Sequence, residues 1–232
     1  PSASVYHYHG IHQAGEKIRL KNVIKILHEN KITKKNGSIN PKDLNIIAIL
    51  PIKGSSYKIN KGTLADYTIK YLKKSKFIKN IILSTDNIMN KKLAKKNNIN
   101  FILRSKKFSQ KNVSLESVQQ HTLRKLEKSK IFPDMIIHIE ETFPFRPQGL
   151  IDKMIMRILE NGYDTLIASK LEPGWMWREN KYNEMVRIDS GDQPRFKKEK
   201  SYIGLHGICC ITYPEFIRKG KLIGHNIGLY EI

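Results

Sequence analysis

Short apolar runs alternate with amphipathic stretches along most of this chain, starting near residue 44. Asn45–Leu50 (NIIAIL) is almost continuously apolar, as is typical of a strand that is buried on both faces of a parallel sheet. Leu64–Ser75 follows with helical periodicity, and the alternation then repeats. The further predicted strands are Asn80–Ser84, Asn100–Leu103, Met135–Ile139 and Thr165–Ser169, and the further predicted helices are Asn87–Asn97, Leu115–Lys130 and Gly149–Asn161. This order predicts an α/β fold with a mostly parallel sheet and helices on both of its faces.

Two parts of the chain depart from this alternation. Near Met185–Ile188 and Ile208–Thr212 the helical periodicity stops, which predicts a small β-rich subregion that closes over the sheet. Residues 1–43 form an appendage in which a predicted helix over Glu16–Glu29 leads into a polar linker. We therefore expect residues 1–43 to be the tail of an upstream domain, and residues 44–232 to be one domain that is incomplete at its C-terminal end. Three histidines of the appendage could hold a metal ion, although no carboxylate or cysteine stands near them: His7, His9 and His12.

The composition is that of a globular protein, with 40% hydrophobic and 27% charged residues. No apolar run reaches the length of a membrane span, and no signal peptide opens the chain. Cys209 and Cys210 are adjacent, and neighbours on a strand point to opposite faces, so a disulfide between them is not expected. These observations favour a cytoplasmic protein with reduced thiols and no membrane span.

Lysine and arginine outnumber acidic residues by 42 to 21, which gives a net charge of +21. Such an excess is compatible with a polyanionic partner, either a nucleic acid or a nucleotide triphosphate. The lysines are nevertheless spread along the whole chain, which favours a general compositional bias. Because neither a basic stripe nor an aromatic platform for RNA is evident, we expect no nucleic-acid partner.

Ligands of open α/β sheets bind beyond the carboxyl ends of the strands, so the segments that follow the strands are the candidates for chemistry. Residues 51–62 (PIKGSSYKINKG) combine small residues with three lysines. Small residues let backbone N–H groups approach an anion, and Lys53, Lys58 and Lys61 add positive charge. The segment matches neither a Walker A loop nor a dinucleotide fingerprint, and a solvated basic turn is the alternative interpretation.

Three other strand ends carry polar side chains. Ser84–Asp86 could cap the next helix or stand at the lip of a site. Arg104 could reach a phosphate or a base edge, or be a surface arginine. The adjacent Glu140 and Glu141 could coordinate a hard cation or bind sugar hydroxyls, unless Glu140 simply pairs with Arg146.

In their order, these segments resemble the acylneuraminate cytidylyltransferases, the family of CMP-sialic acid and CMP-KDO synthetases. Pro51–Ile59 resembles the family pattern P-A-R-G-G-S-K-x-I, Leu83–Asp86 resembles V-S-T-D, and Glu140–Arg146 resembles Q-P-T-S-P-L-R. The resemblance runs from about residue 44 to residue 232. The other segments that carry it are Tyr67–Ile69, Leu103–Ser114, Asp164–Ser169 and Gly228–Ile232.

This resemblance implies a Rossmann-like nucleotide-diphospho-sugar transferase fold. It also implies an enzyme that transfers CMP from CTP onto an acidic 2-keto-3-deoxy sugar, with Mg²⁺ as cofactor, in the synthesis of cell-surface polysaccharide. A homodimer is common in the family, and the His-x-His-Gly segment faintly resembles the tail of a glycosyltransferase domain, which would make the parent a fusion. Two alternatives stay open: a nucleotidyltransferase for another sugar or nucleotide, and a catalytically degenerate binding domain.

The resemblance also implies roles for individual residues. Lys53 and Lys58 would be catalytic and would hold the triphosphate together with backbone N–H groups. The remaining nucleotide-binding residues would be Pro51, Gly54, Ser55, Ser56, Lys61, Asp86, Arg104 and Ser114. The acceptor sugar would be lined by Glu140, Thr142 and Arg146, with Gln193, Arg195, His206, Trp175 and Trp177 either shaping its pocket or belonging to a packed loop.

The chain departs from the family pattern at several of these positions. Lys53 stands in place of an arginine, Lys111 in place of an aspartate, and Glu140–Glu141 in place of Gln-Pro. The phosphate loop is shorter, which leaves Lys61 as the only candidate for the family's Lys-Asn pair. The metal-binding Asp-x-Asp pair of the family is expected beyond Ile232. The sequence therefore predicts a divergent member.

Overall fold

A computed structural model describes residues 39–189, 191–197 and 199–232. The predicted helix over Glu16–Glu29 and the histidines at positions 7, 9 and 12 lie outside the described residues. The strands are β1 (Ile46–Ile52), β2 (Lys58–Ile59), β3 (Gly62–Thr63), β4 (Ile78–Thr85), β5 (Asn100–Leu103), β6 (Met135–His138), β7 (Thr165–Glu172), β8 (Trp177–Glu179), β9 (Met185–Arg187), β10 (Ser201–Gly204), β11 (Cys210–Thr212) and β12 (Ile227–Glu231). The helices are α1 (Leu64–Leu72), α2 (Asn90–Lys96), α3 (Leu115–Lys128), α4 (Leu150–Asn161) and α5 (Pro214–Arg218), with single 3-10 turns at Pro41–Asp43, Lys106–Ser109 and Arg195–Lys197.

The main sheet has the strand order β7-β11-β6-β1-β4-β5, with β10 and β12 also paired to β7. Strands β5, β4, β1 and β6 are parallel to one another, whereas β11 is antiparallel to both β6 and β7. The predicted α/β fold with a mostly parallel sheet is therefore confirmed. The separate hairpins β2–β3 and β8–β9 lie outside this sheet, and β8–β9 falls in the predicted β-rich subregion. The prediction is wrong for the run Ile208–Thr212, since its β11 lies within the main sheet, between β6 and β7.

Strand β1 is buried on both faces, as its apolar run predicts. Ile46, Ala48 and Leu50 pack with residues of α1 and α4 in one layer of the core. Ile47 and Ile49 pack on the opposite face with residues of α3 and α5. Alternate residues of one strand thus serve two helical layers, and the sheet lies between them.

Strands β10 and β11 are two parts of one antiparallel strand that a bulge interrupts. Both run along the same edge of β7, since the carbonyl of Ala168 accepts from the N–H of Leu205 and the N–H of Ala168 donates to the carbonyl of Cys209. Residues 205–209 therefore form a loop opposite a single residue of β7, which we call the β10–β11 bulge. This bulge is the reason that β11 starts at Cys210, two residues later than the run beginning at Ile208 predicts.

Both cysteines are buried and free, with no disulfide between them. Burial raises the pKa of the Cys209 thiol to about 12. Among the described helices, none combines the length and the apolar character that crossing a bilayer requires.

Candidate active site

The loop after β1 is fixed by side chains at the end of the neighbouring strand β4. The N–H of Gly54 donates to Asp86 Oδ1 at 2.7 Å, and Asn90 Nδ2 donates to the carbonyl of Gly54 at 2.8 Å. Asn87 Nδ2 donates to Ser55 Oγ at 3.0 Å. Gly54 has φ of +68°, a backbone conformation that glycine adopts without strain. These contacts hold the loop at the carboxyl edge of the sheet, where ligands of such sheets bind.

Ser56 joins this loop to the end of β6 and to α1. Its hydroxyl donates to the carboxylate of Glu141 and accepts from the N–H of Ala65 at 3.1 Å. Burial raises the pKa of the Glu141 carboxyl, and the hydrogen bond from Ser56 opposes that shift. Glu141 thus has a fixed partner inside the protein.

The lysines of the loop point away from these contacts. Lys53, Lys58 and Lys61 are exposed, and the side chain of none of them makes a hydrogen bond or an ion pair with another described residue. A backbone held in place with cationic side chains around it is the arrangement that a polyphosphate requires.

Arg104 is buried, so the interpretation as a surface arginine is wrong. Its guanidinium donates to the carbonyl of Ser84 at 2.6 Å and to that of Ile52 at 3.0 Å. Burial lowers the pKa of Arg104, and the nearby Asp86 opposes that shift. The arginine joins the ends of β1 and β4 beneath the loop. Ser114, another residue expected to bind the nucleotide, is the N-cap of α3 and accepts from the N–H of Ser117.

Glu140 lies between two histidines at the end of β6. Its Oε1 is 3.3 Å from His138 Nε2 and 3.5 Å from His206 Nε2. The fully buried His138 has its Nδ1 2.6 Å from Gln119 Nε2, and Thr142 donates to Glu140 Oε2 at 3.2 Å. The hydrogen bond from His138 lowers the pKa of Glu140, whereas burial lowers the pKa of His138. An ionised carboxylate therefore lies beside a neutral imidazole.

Arg146 holds the β10–β11 bulge against the end of β6. Its guanidinium donates to the carbonyls of Ile208 at 2.8 Å and Gly207 at 3.1 Å, and also to the backbone carbonyl of Glu140. The N–H of Glu140 donates to Gly207 O at 2.8 Å. Burial lowers the pKa of Arg146 to about 10. The arginine therefore binds the backbone of Glu140, not its carboxylate as the simple pairing would require.

The structure brings most of the predicted residues to one edge of the sheet, but not all of them. Pro51 lies within β1, and His206 is carried to Glu140 by the bulge. Gln193 is exposed and makes no hydrogen bond with the part of the chain that the structure describes. Arg195 begins a 3-10 turn. The exposed Trp175 and Trp177 lie at the β8–β9 hairpin, where the Arg187 guanidinium stands 5.0 Å from the Trp175 ring.

Sequence reasoning missed His138 and Gln119. The available signal was a histidine in an otherwise apolar strand, two residues before a glutamate. Residues two apart on a strand share a face, so His138 and Glu140 could have been placed together. The contact with Gln119 joins residues 19 apart on different elements, and no local pattern indicates it.

A family model described as cytidylyltransferase matches residues 57–199, which is more than half of the chain. The chain belongs to the cytidylyltransferase family. It is thus an enzyme of the nucleotidyltransferase class that uses CTP. A search of curated proteins finds no match.

Solved structures agree with this cytidylyltransferase fold. The structure of CMP:2-keto-3-deoxy-manno-octonic acid synthetase complexed with CTP matches with a TM-score of 0.60 at 9% identity, over 81% of this chain and 90% of that one. The 4-diphosphocytidyl-2C-methyl-D-erythritol synthase of Anaerococcus prevotii matches with a TM-score of 0.62 at 14% identity, over 85% of this chain and 90% of that one. The bifunctional IspDF of Campylobacter jejuni matches with a TM-score of 0.55 at 15% identity, over 81% of this chain and 50% of that one. At such identities the likeness shows the fold.

Proposed function

We propose that this cytidylyltransferase transfers CMP from CTP onto the hydroxyl of an acidic 2-keto-3-deoxy sugar. The observation that carries the proposal is the loop after β1, whose backbone is fixed by Asp86 and Asn90 while its lysines stay exposed. The order of the family-like segments supports the choice of acceptor.

In the proposed reaction the acceptor hydroxyl oxygen forms a bond to the α-phosphorus of CTP. The bond from that phosphorus to the bridging oxygen breaks, pyrophosphate leaves with the electron pair, and the hydroxyl proton passes to solvent. Such a transfer depends on positioning and on neutralisation of charge more than on covalent help. Lys53 and Lys58, with the N–H groups of Ser55 and Ser56, supply that neutralisation, whereas the N–H of Gly54, also expected to bind the triphosphate, already donates to Asp86.

On the acceptor side, the carboxylate of Glu140 and the hydroxyl of Thr142 face the edge of the sheet beside the loop. Both can bind sugar hydroxyls. Arg146 is a positioning residue in this proposal, since its donors are taken by backbone carbonyls and by Thr68 Oγ1. Arg104 likewise acts through the two strand ends that it joins.

The described residues do not fit a Mg²⁺ site at this edge. Mg²⁺ prefers oxygen ligands in octahedral geometry. Asp86 accepts from Gly54 N–H, Glu141 accepts from Ser56, and the carboxylate of Glu140 lies against two imidazoles.

The test is turnover by the full chain with CTP, UTP and GTP, using an acidic 2-keto-3-deoxy sugar and a phosphorylated polyol as acceptors. We expect pyrophosphate release with CTP and the acidic sugar. Lys53→Ala and Lys58→Ala should each lower kcat/KM for CTP by more than about tenfold, which corresponds to about 1.4 kcal/mol of lost transition-state stabilisation.

The matched control is Lys79→Ala, since this exposed lysine lies near the amino end of β4, away from the proposed site. It should leave turnover unchanged. Normal turnover in both loop variants would refute the role of Lys53 and Lys58 in binding the triphosphate. Turnover with the phosphorylated polyol alone would refute the acidic sugar as the acceptor.

A further inference from the structure

Three side chains at the end of β6 converge on a small volume from two separate segments of the chain. His138 and Glu140 share one face of the strand end, and His206 reaches them from the β10–β11 bulge. The ligand atoms that they offer all lie within 4.8 Å of one another. The loop chemistry of the proposed function does not require this arrangement of two imidazoles around one carboxylate oxygen.

We propose that His138, Glu140 and His206 form a binding site for one first-row transition-metal dication such as Zn²⁺. Ligand type supports this choice, because imidazole nitrogen is a preferred ligand of zinc and other first-row transition metals, whereas Mg²⁺ prefers oxygen ligands. Three protein ligands with one open position are also the usual composition of a catalytic zinc site.

Two of the three distances between ligand atoms agree with tetrahedral coordination. Ligands about 2.0–2.1 Å from a tetrahedral zinc ion lie roughly 3.3–3.4 Å from each other. The separations from Glu140 Oε1 are 3.3 Å to His138 Nε2 and 3.5 Å to His206 Nε2. The ligand atoms of the two imidazoles lie within 4.8 Å of each other.

The surroundings of His138 suit a metal ligand. Its Nδ1 lies 2.6 Å from the amide Nε2 of Gln119, whose Oε1 is buried and has no hydrogen-bond partner among the described residues. Rotation of this amide by half a turn would place Oε1 on the Nδ1–H of His138 and leave Nε2 as the lone-pair donor to the metal. Such a partner on the second ring nitrogen is a regular feature of metal-bound histidines.

The other two ligands are held by the backbone. Arg146 binds the carbonyls of Glu140 and Gly207, and the N–H of Glu140 binds Gly207 O, so the residue next to His206 is joined directly to Glu140. The His206 side chain is 53% exposed, which leaves an entry path for an ion and room for a fourth ligand. That fourth ligand would be a hydroxyl or carboxylate oxygen of the acceptor, a part of the inference that rests on the proposed function.

The experiment is a titration of the chelator-treated full chain with Co²⁺, followed by visible absorption, and with Zn²⁺ as a competitor. We expect one tight site with a tetrahedral Co²⁺ spectrum that Zn²⁺ abolishes and that excess Mg²⁺ leaves intact. Removal of a hydrogen-bonding partner of a ligand already weakens metal sites by about 10–100-fold. His206→Ala and Glu140→Gln should therefore weaken binding by at least about 100-fold.

Two control variants separate this site from other histidines. A variant with His7, His9 and His12 all changed to alanine should keep the spectrum, and so should His225→Ala, which changes an exposed histidine outside the cluster. A spectrum that survives His206→Ala and Glu140→Gln, or that vanishes with the three N-terminal histidines, would refute the site and leave a hydrogen-bonded trio. CTP turnover is measured separately, so an active chain without the cluster-dependent spectrum would refute the metal site and leave the proposed function standing.

Discussion

The loop after β1 and the β10–β11 bulge meet at one edge of the sheet, but opposite chemistry holds each of them. Carboxylates hold the loop, since Asp86 accepts from Gly54 N–H and Glu141 accepts from Ser56. A buried cation holds the bulge, since Arg146 donates to three backbone carbonyls. The loop keeps its lysines outside, whereas the bulge brings His206 inward to Glu140.

This difference indicates how the loop after β1 and the β10–β11 bulge would each respond to a change of pH. Because burial raises the folded-state pKa of Glu141, the fold favours protonation of this carboxyl, and its contribution to stability rises as the pH falls through that pKa. Backbone carbonyls do not titrate, and burial lowers the pKa of Arg146 only to about 10, so the bulge should be insensitive to pH below that value. The loop region is thus expected to be tunable by pH and the bulge to be a rigid support.

The largest loss of stability is expected from Arg146→Leu, which removes the guanidinium that holds the β10–β11 bulge. Each buried carbonyl left without a donor costs about 1–3 kcal/mol, and the carbonyls of Ile208 and Glu140 lose theirs, whereas that of Gly207 keeps the N–H of Glu140. We expect the free energy of unfolding, measured by urea denaturation, to fall by about 3 kcal/mol or more.

The control for this change is Arg157→Leu, which removes an exposed arginine of α4 and should change stability by less than about 0.5 kcal/mol. Equal stability of the two variants would show that Arg146 is not the support of the bulge. The three-way contact would then be without energetic importance.

A smaller effect is expected from Gly207→Ala in the bulge itself. An added Cβ would stand 2.6 Å from Phe143 Cε2 and 2.8 Å from Glu140 Oε2, so both side chains would have to move. Overpacking of this kind costs about 1–3 kcal/mol. In Gly204→Ala, which serves as the matched control, the new Cβ meets only Ile167 Cγ2 at 3.7 Å. Thermal unfolding of both variants should therefore show a lower Tm for Gly207→Ala alone.

The loop could be predicted from the sequence because its signals are local. The apolar run Asn45–Leu50 indicates a buried strand, and the small residues and lysines that follow it stand where such strands end. The side chains that hold the loop were only partly predictable. Asp86 follows the next strand, but nothing near Ser56 indicates its contact with Glu141, 85 residues away.

The bulge could not be predicted because its cause is a contact between distant segments. Arg146 binds the carbonyl of Ile208, 62 residues further on, and this contact depends on β11 lying between β6 and β7. The local sequence around Ile208 has only the apolar character of a strand. Burial of Arg104 was missed for a similar reason, since its acceptors lie on two other strands.

The smallest loss of stability is expected at the start of α1, where a carboxylate again accepts the hydrogen bonds that fix the backbone. Asp66 closes a capping box with Thr63, accepting from its N–H at 3.0 Å, and also accepts from Lys96 and Asn97. Burial raises the pKa of Asp66, but these hydrogen bonds outweigh it and lower the pKa below 3.8. Asp66→Asn should therefore cost about 1 kcal/mol of stability at neutral pH, a value typical of lost helix caps.

The pH dependence of this loss of stability shows whether the charge of Asp66 is its cause. Because the pKa of Asp66 is lower in the folded than in the unfolded chain, ionised Asp66 stabilises the fold above pH 3.8, and this stability is lost as the pH falls through the folded pKa. The stability difference between the wild type and Asp66→Asn, measured by urea unfolding, should then shrink toward zero in acid. Asp43→Asn, which changes an exposed carboxylate outside this capping box, is the matched control. A difference that stays constant as the pH falls through 3.8 and below would show that hydrogen-bond geometry, and not charge, holds the start of α1.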